Sequence, residues 1–265
     1  MLKYTAAIAA SQGARQQQED AAALWPGPAT SLPPFEQPPE DGRLLAVLAD
    51  GMGGHAGGAL ASRTVCAYFL AAYAGAPVDV RDRLEAGLWA CNEAIAGKVS
   101  TDRTLEGMGS TLVGAAFGPD GMEWVSVGDS PLYLWRDGEL ALVNEDHSLA
   151  PLLDELARAG KITENEAQTD TRRHMLRSAV TGEEIELVDL AAKPLPLVAG
   201  DCVILASDGI HTIAEAEIAR VVAAYAVDGP QAVASALVRT VDNLRDPHQD
   251  NVTVVVVFPQ ACPPE

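Results

Sequence analysis

Apolar residues run unbroken from Leu44 to Ala49 and stop at Asp50-Gly51. They run again from Val203 to Ala206 and stop, one serine later, at Asp208-Gly209. A short continuous apolar run closed by a turn signal predicts a strand buried on both faces. Thr5 to Ala10, Ala21 to Trp25, Ser110 to Phe117, Met122 to Val127, Leu132 to Trp135, Ile185 to Leu190 and Val252 to Phe258 read as further strands. Gly118-Pro119-Asp120-Gly121 and Arg136-Asp137-Gly138-Glu139 supply turns. Helical spacing marks Ala59 to Tyr73, Val80 to Val99, Glu215 to Tyr225 and Gln231 to Asn243, with Leu84, Leu88, Cys91 and Ile95 on one face of the second. Pro26 to Gly42 holds six prolines and no periodicity, which predicts a surface loop. Leu149 to Thr181 is charged and helical, a mobile insert in which Thr163 and Glu166 form a capping-box signal.

The order is strands, a helix pair, strands, an insert, strands, a helix pair and a strand. That is not the βαβ alternation of a parallel sheet. It predicts antiparallel sheets packed face to face with helix pairs outside. No internal repeat is evident.

Composition narrows the chemistry. With 18 Lys and Arg against 37 Asp and Glu, the formal net charge of -19 argues against nucleic acid or an anionic membrane as partner. It suits a protein that binds cations, although acidity also aids solubility without locating any site. No run approaches the length of a membrane span. The apolar start, Leu2 to Ala10, is short and continues into polar residues, so no cleaved signal is expected. Cys66, Cys91, Cys202 and Cys262 are widely spaced. They form no Cys-x-x-Cys pair, which points to reduced thiols, a cytoplasmic setting and, for Cys202, inert packing.

The candidate chemistry lies at strand ends. Asp129 follows Trp124 to Gly128, and Asp250 precedes Val252 to Val257, joining Asp50 and Asp208. Two carboxylates about 4 Å apart repel by roughly 4 kcal/mol at an effective dielectric of about 20. Divalent cations with oxygen ligands remove that penalty. Glu19 adds a potential ligand, and Arg15 offers a planar fork for a phosphate dianion. Gly51-Met52-Gly53-Gly54-His55-Ala56 also fits the loose dinucleotide pattern G-x-G-x-x-G/A. Asp50 would repel a pyrophosphate there. No acidic residue follows at about 20 positions, where a ribose partner is expected, and the next element is a second helix. His147 and His174 stand alone, and a lone histidine is more often structural than catalytic.

Seven short motifs then resemble one family in its own order, across nearly the whole chain. They are Arg15 to Asp20, Asp50-Gly51-Met52-Gly53-Gly54-His55, Gly109-Ser110-Thr111, Gly128-Asp129-Ser130, Glu145-Asp146-His147-Ser148, Ala206-Ser207-Asp208-Gly209 and Asp250-Asn251-Val252-Thr253. The family is the metal-dependent serine/threonine protein phosphatases of type 2C, in their bacterial form. The resemblance implies an α+β fold, a four-layer αββα sandwich forming one catalytic domain over residues 1–265 with a flap at 149–181. It implies a binuclear Mn²⁺ or Mg²⁺ centre in which Asp50 bridges both ions. Glu19 and the Gly51 carbonyl join it on one, and Asp208 and Asp250 on the other. Asp129, with Asp208, would hold a weaker third ion. Arg15 would bind the substrate phosphate, with Asp20 and Asn251 supporting the ligands.

The implied reaction is hydrolysis of phosphoserine or phosphothreonine on proteins by a metal-activated water, opposing a bacterial serine/threonine kinase. No cysteine is followed six residues later by arginine, so a cysteine-based phosphatase is excluded. Met52 stands where animal members carry a proposed general-acid histidine. Gln18 also departs from the common bacterial residue, a neutral change, and Pro131 stands where arginine is frequent, which bears on a surface contact and not on the metal site. Two alternatives remain open: a same-fold phosphatase specific for an anti-anti-sigma-type regulator, and a non-catalytic metal-binding module.

Overall fold

The computed structural model describes residues 2–26, 43–53, 57–75 and 79–261. Most of the predicted Pro26–Gly42 loop, the Gly54-His55-Ala56 part of one motif, and Cys262 lie outside the described residues. In chain order the elements are β1 (Leu2–Ser11), β2 (Asp20–Trp25), β3 (Leu44–Met52), α1 (Gly57–Gly75), α2 (Val80–Thr101), β4 (Gly109–Ser110), β5 (Leu112–Gly118), β6 (Gly121–Val127), β7 (Leu132–Arg136) and β8 (Glu139–Leu142). They continue as α3 (Ala150–Arg158), α4 (Glu164–Thr169), β9 (Asp189–Leu190), β10 (Cys202–Ala206), α5 (Glu215–Tyr225), α6 (Pro230–Asn243) and β11 (Val252–Ala261).

Two antiparallel sheets result, ordered β1-β11-β10-β7-β8 and β2-β3-β5-β6-β9, with β4 paired to the end of β3. The unbroken apolar runs follow from burial on both faces. In β3, Leu44, Ala46 and Leu48 face the other sheet, where they meet Val203, Leu205, Val255 and Val257. Leu45, Val47 and Ala49 face α1 and α2, packing with Val65, Phe69, Leu84 and Leu88. The same alternation sends Ile204, Val254 and Val256 outward to Val221, Val222 and Leu237 of α5 and α6. Helix pair, sheet, sheet and helix pair are thus four layers, as expected, and Leu84, Leu88, Cys91 and Ile95 are all buried.

Two expectations need correction, and one strand was not foreseen. Ser110 to Phe117 is not one strand: the chain breaks at Thr111, whose amide and hydroxyl both turn to the Asp50 backbone at 2.9 Å. Ile185 to Leu190 pairs only at Asp189–Leu190. Ile185 drops into the helix-side core, and Leu187 bonds through both backbone groups to the Ser178 hydroxyl. β8 carried no sequence signal, because it is a largely exposed edge strand with no buried face to alternate. The 149–181 insert holds α3 and α4, and the Thr163–Glu166 capping box forms in full.

Candidate metal centre

The antiparallel registers bring five strand termini to one end of the sandwich. β3, β6 and β10 finish there, and β2 and β11 begin there. Glu19, Asp50, Asp129, Asp208 and Asp250 therefore line a single cleft of about 720 Å³, with Arg15, the Gly51 backbone and Asn251 on its wall. The seven residues expected from sequence to hold metal or phosphate stand together, with Asn251, one of the two expected to support them, beside them. Asp20, the ninth, lies just behind them.

The supports are specific. Asp50 sits opposite Asp20 in the β2–β3 ladder. Its amide donates to the Thr111 hydroxyl at 2.9 Å, and its carbonyl accepts from Ser110 Oγ at 2.9 Å. Asn251 ties the two sheets: its Oδ1 accepts the Glu19 amide at 2.7 Å, and its Nδ2 donates to the Gln12 and Gln17 carbonyls at 2.8 and 3.0 Å. Asp20 is buried and accepts from Ser207 Oγ at 2.8 Å, while Ser207 Oγ accepts the Thr253 amide at 2.9 Å. Arg15 is ion-paired to Asp250, whose other oxygen accepts the Asn251 amide at 2.8 Å. Sequence reasoning missed Thr111 and Ser207 as supports. Both lie inside quoted motifs, but a hydroxyl aimed at a neighbouring backbone group has no spacing rule.

Crowding of like charge marks the electrostatics. Burial first, then Asp20, Asp208, Asp129 and Asp250, push the Asp50 carboxyl far above its ordinary range. Burial first, then Asp250, raise the Asp208 carboxyl, with His211 and Asp50 partly offsetting the rise. Burial, with Asp208 and Asp146, takes Asp129 to about 7. Asp20 also reaches about 7 through burial, partly offset by the Ser207 hydroxyl. His147 is buried and structural: its Nδ1 accepts the Gly128 amide at 3.2 Å, and burial lowers its pKa. Cys66, Cys91 and Cys202 are buried free thiols raised by burial, which matches inert packing.

The donor set fits hard divalent cations, since it consists of carboxylates and one carbonyl with no thiolate or imidazole. Gly58 gives a direct check. A Cβ there would fall 2.8 Å from both Glu19 Oε1 and the Gly51 carbonyl oxygen, so those two oxygens converge on space that only glycine leaves open. Among the described residues no three such side chains are drawn into a finished metal cage.

The model of the protein phosphatase 2C family matches residues 36–252. The chain belongs to the protein phosphatase 2C family. Serine/threonine protein phosphatase PstP of Mycobacterium tuberculosis is 39% identical over 218 residues, covering 81% of this chain and 40% of PstP. The chain thus spans about 40% of the length of that relative. Protein phosphatase PhpP of Streptococcus pneumoniae is 31% identical over 222 residues, covering 82% of this chain and 86% of PhpP. The crystal structure of the PstP catalytic domain in complex with 2 manganese ions superposes with a TM-score of 0.75 at 30% identity, covering 98% of this chain and all of that chain. The four-layer sandwich is accordingly the protein phosphatase 2C fold, and the cleft lies where its antiparallel strands end.

Proposed function

We propose that this chain is a metal-dependent protein serine/threonine phosphatase, one catalytic domain with a flap at 149–181. The observation that carries the reading is the convergence of Glu19, Asp50, Asp129, Asp208 and Asp250 on one cleft beside Arg15. Glu19, the Gly51 carbonyl, Asp50, Asp208 and Asp250 would hold two divalent cations, with Asp129 beside Asp208 as the residue that would hold a weaker third. Bound divalent cations supply the charge that lowers the pKa of an attacking water and offsets negative charge on the phosphoryl oxygens.

The chain's own groups do the rest. Arg15 presents its guanidinium to the phosphate from the solvent side of the cleft, exchanging Asp250 for a second anion. Asn251 and Asp20 hold Glu19 and the strand ends, so the ligands are fixed before substrate arrives. Half-burial of the carboxylates limits competing water. Mn²⁺ or Mg²⁺ suits this donor set, with phosphoproteins made by a serine/threonine kinase as substrates. A cytoplasmic setting belongs to this reading; among the described residues no helix is long and apolar enough to cross a membrane.

The test is hydrolysis of p-nitrophenyl phosphate and of a phosphothreonine peptide. Activity lost to chelator and regained with Mn²⁺ supports the reading. A purified chain that binds Mn²⁺ but turns over neither ester would leave only the non-catalytic module.

A further inference from the structure

A seryl or threonyl alkoxide is a poor leaving group and needs a proton as its bond to phosphorus breaks. On the phosphatase reading the cleft carboxylates are occupied with cations, and Arg15 does not release a proton. His147 is sealed against Gly128, and His211 turns its Nε2 to the Tyr133 hydroxyl at 3.4 Å. His248 is not on the cleft wall. Among the described residues, His174 is the histidine that lines the cleft.

The position of His174 is held from both sides. Arg173 makes a two-pronged bond to Asp154 of α3 at 2.8 and 2.9 Å. The Met175 amide closes a turn onto the Arg172 carbonyl at 2.8 Å, and the Met175 carbonyl accepts the Leu149 amide at 3.0 Å. The Arg177 amide donates to the His147 carbonyl at 2.8 Å. The imidazole itself is exposed, and no hydrogen bond or ion pair among the described residues engages it. It stands near enough to Asp208 for its charge to draw that carboxyl's pKa down. Arg15, Asp129 and Asp208 share the cleft with it from the strand ends, and Arg177, Glu184 and Glu186 from its own wall.

We propose that His174, reaching into the cleft from the flap, is the general acid that protonates the departing serine or threonine oxygen. The proposal rests on the phosphatase reading. As the attacking water's oxygen bonds to phosphorus, the bond to the side-chain oxygen breaks and its electron pair stays on that oxygen. The imidazolium proton moves to it, the protein leaves as an alcohol, and neutral His174 regains a proton from solvent.

The experiment compares leaving groups in the Mn²⁺-loaded protein. A p-nitrophenolate departs without a proton, whereas an alkoxide does not. His174→Ala and His174→Gln should each lower kcat on a phosphothreonine peptide by about a hundredfold and on p-nitrophenyl phosphate by less than about threefold. Across substituted phenyl phosphates, the variants should show a steeper dependence on leaving-group pKa than the parent. Mn²⁺ affinity, read by calorimetry, should stay the same. An unchanged rate on the peptide, an equal fall on both esters or a loss of Mn²⁺ binding would each overturn the assignment. A parent protein inactive on every ester would remove the phosphatase reading itself, and this proposal with it.

Discussion

The two walls of the cleft are held by different means. The strand-end wall continues β3, β10 and β11, whose interiors are sealed between layers; Val47, Leu205 and Val255 are each 0% exposed. The flap wall, which carries His174 and Arg177, is tied to β4 at its far end by two backbone bonds between Ser110 and buried Val180, but around His174 it is held by the Arg173–Asp154 pair, a capping box on α4 and an isolated bridge between Ser148 and Leu176. A deep ladder can hold carboxylates together against their repulsion. Surface pairs worth about 0–1 kcal/mol each cannot. On the phosphatase reading, the groups that must be fixed for chemistry therefore stand at strand ends, and His174 stands on the more weakly held wall.

The strongest blow to this contrast is one that dissolves the strand wall. Phe117 is fully buried between the sheets and packs its ring 5.4 Å from that of Tyr4. Phe117→Ala should cost about 3–5 kcal/mol in equilibrium denaturation. Because the ladder carries the ligands, Mn²⁺ affinity should fall together with stability. A stable variant with normal Mn²⁺ binding would show that the core does not hold the acidic end.

Asp50→Asn separates holding from chemistry. Turnover should fall by at least about a hundredfold, since loss of a ligand exceeds the roughly 10–100-fold typical of outer partners. Without metal, however, the variant should melt at a higher temperature than the parent above pH 7, because one member of a repelling group is gone. The pH dependence follows with the same sign. Asp20 and Asp129 have folded pKa values near 7, above the ordinary carboxylate range. Between about pH 4 and 7 the folded state therefore binds more protons than the unfolded state, and stability falls as pH rises. Chelated protein should lose melting temperature across that window and level off above it, and Mn²⁺ should flatten the curve. A metal-free protein that gains stability from pH 5 to 7 would contradict the electrostatics.

How much of each wall was legible in the sequence differs for the same reason. Asp50, Asp208 and Asp250 could be read because a buried strand leaves an unbroken apolar run, and the residue that ends the run is conspicuous. The break at Thr111 could not be read, since a threonine that leaves a ladder to bond a neighbouring backbone looks like any strand residue. Ile185 to Leu190 misled for a related reason. Its apolar positions serve the helix-side core at Ile185 and a Ser178 hydroxyl at Leu187, not a sheet. On the flap, the Thr163 cap was visible because it is local. His174 could be named but not placed, because its position depends on contacts at Asp154 and Leu149 that no spacing reveals.

Arg15 stands between the two cases, anchored on a strand-end loop yet more than half exposed at its side chain. It binds phosphate in both ground and transition states on the reading above. Arg15→Ala should therefore raise KM about tenfold with kcat little changed, the loss expected for a charged hydrogen bond that water partly replaces. A fall in kcat at constant KM would instead place Arg15 in the transition state.

The mildest change tests the flap alone. Thr163 Oγ1 accepts the Glu166 amide at 3.1 Å, and Glu166 Oε2 accepts the Thr163 amide at 2.7 Å, so the first turn of α4 is closed reciprocally. Thr163→Ala removes one half of that closure and leaves every strand contact intact. Opening of α4, followed by amide hydrogen exchange, should quicken by roughly fivefold. The melting temperature and the p-nitrophenyl phosphate rate should hold, because neither depends on this wall. If the whole protein lost stability with the cap, the flap would be part of the cooperative core, and the two walls would differ in chemistry but not in how they are held.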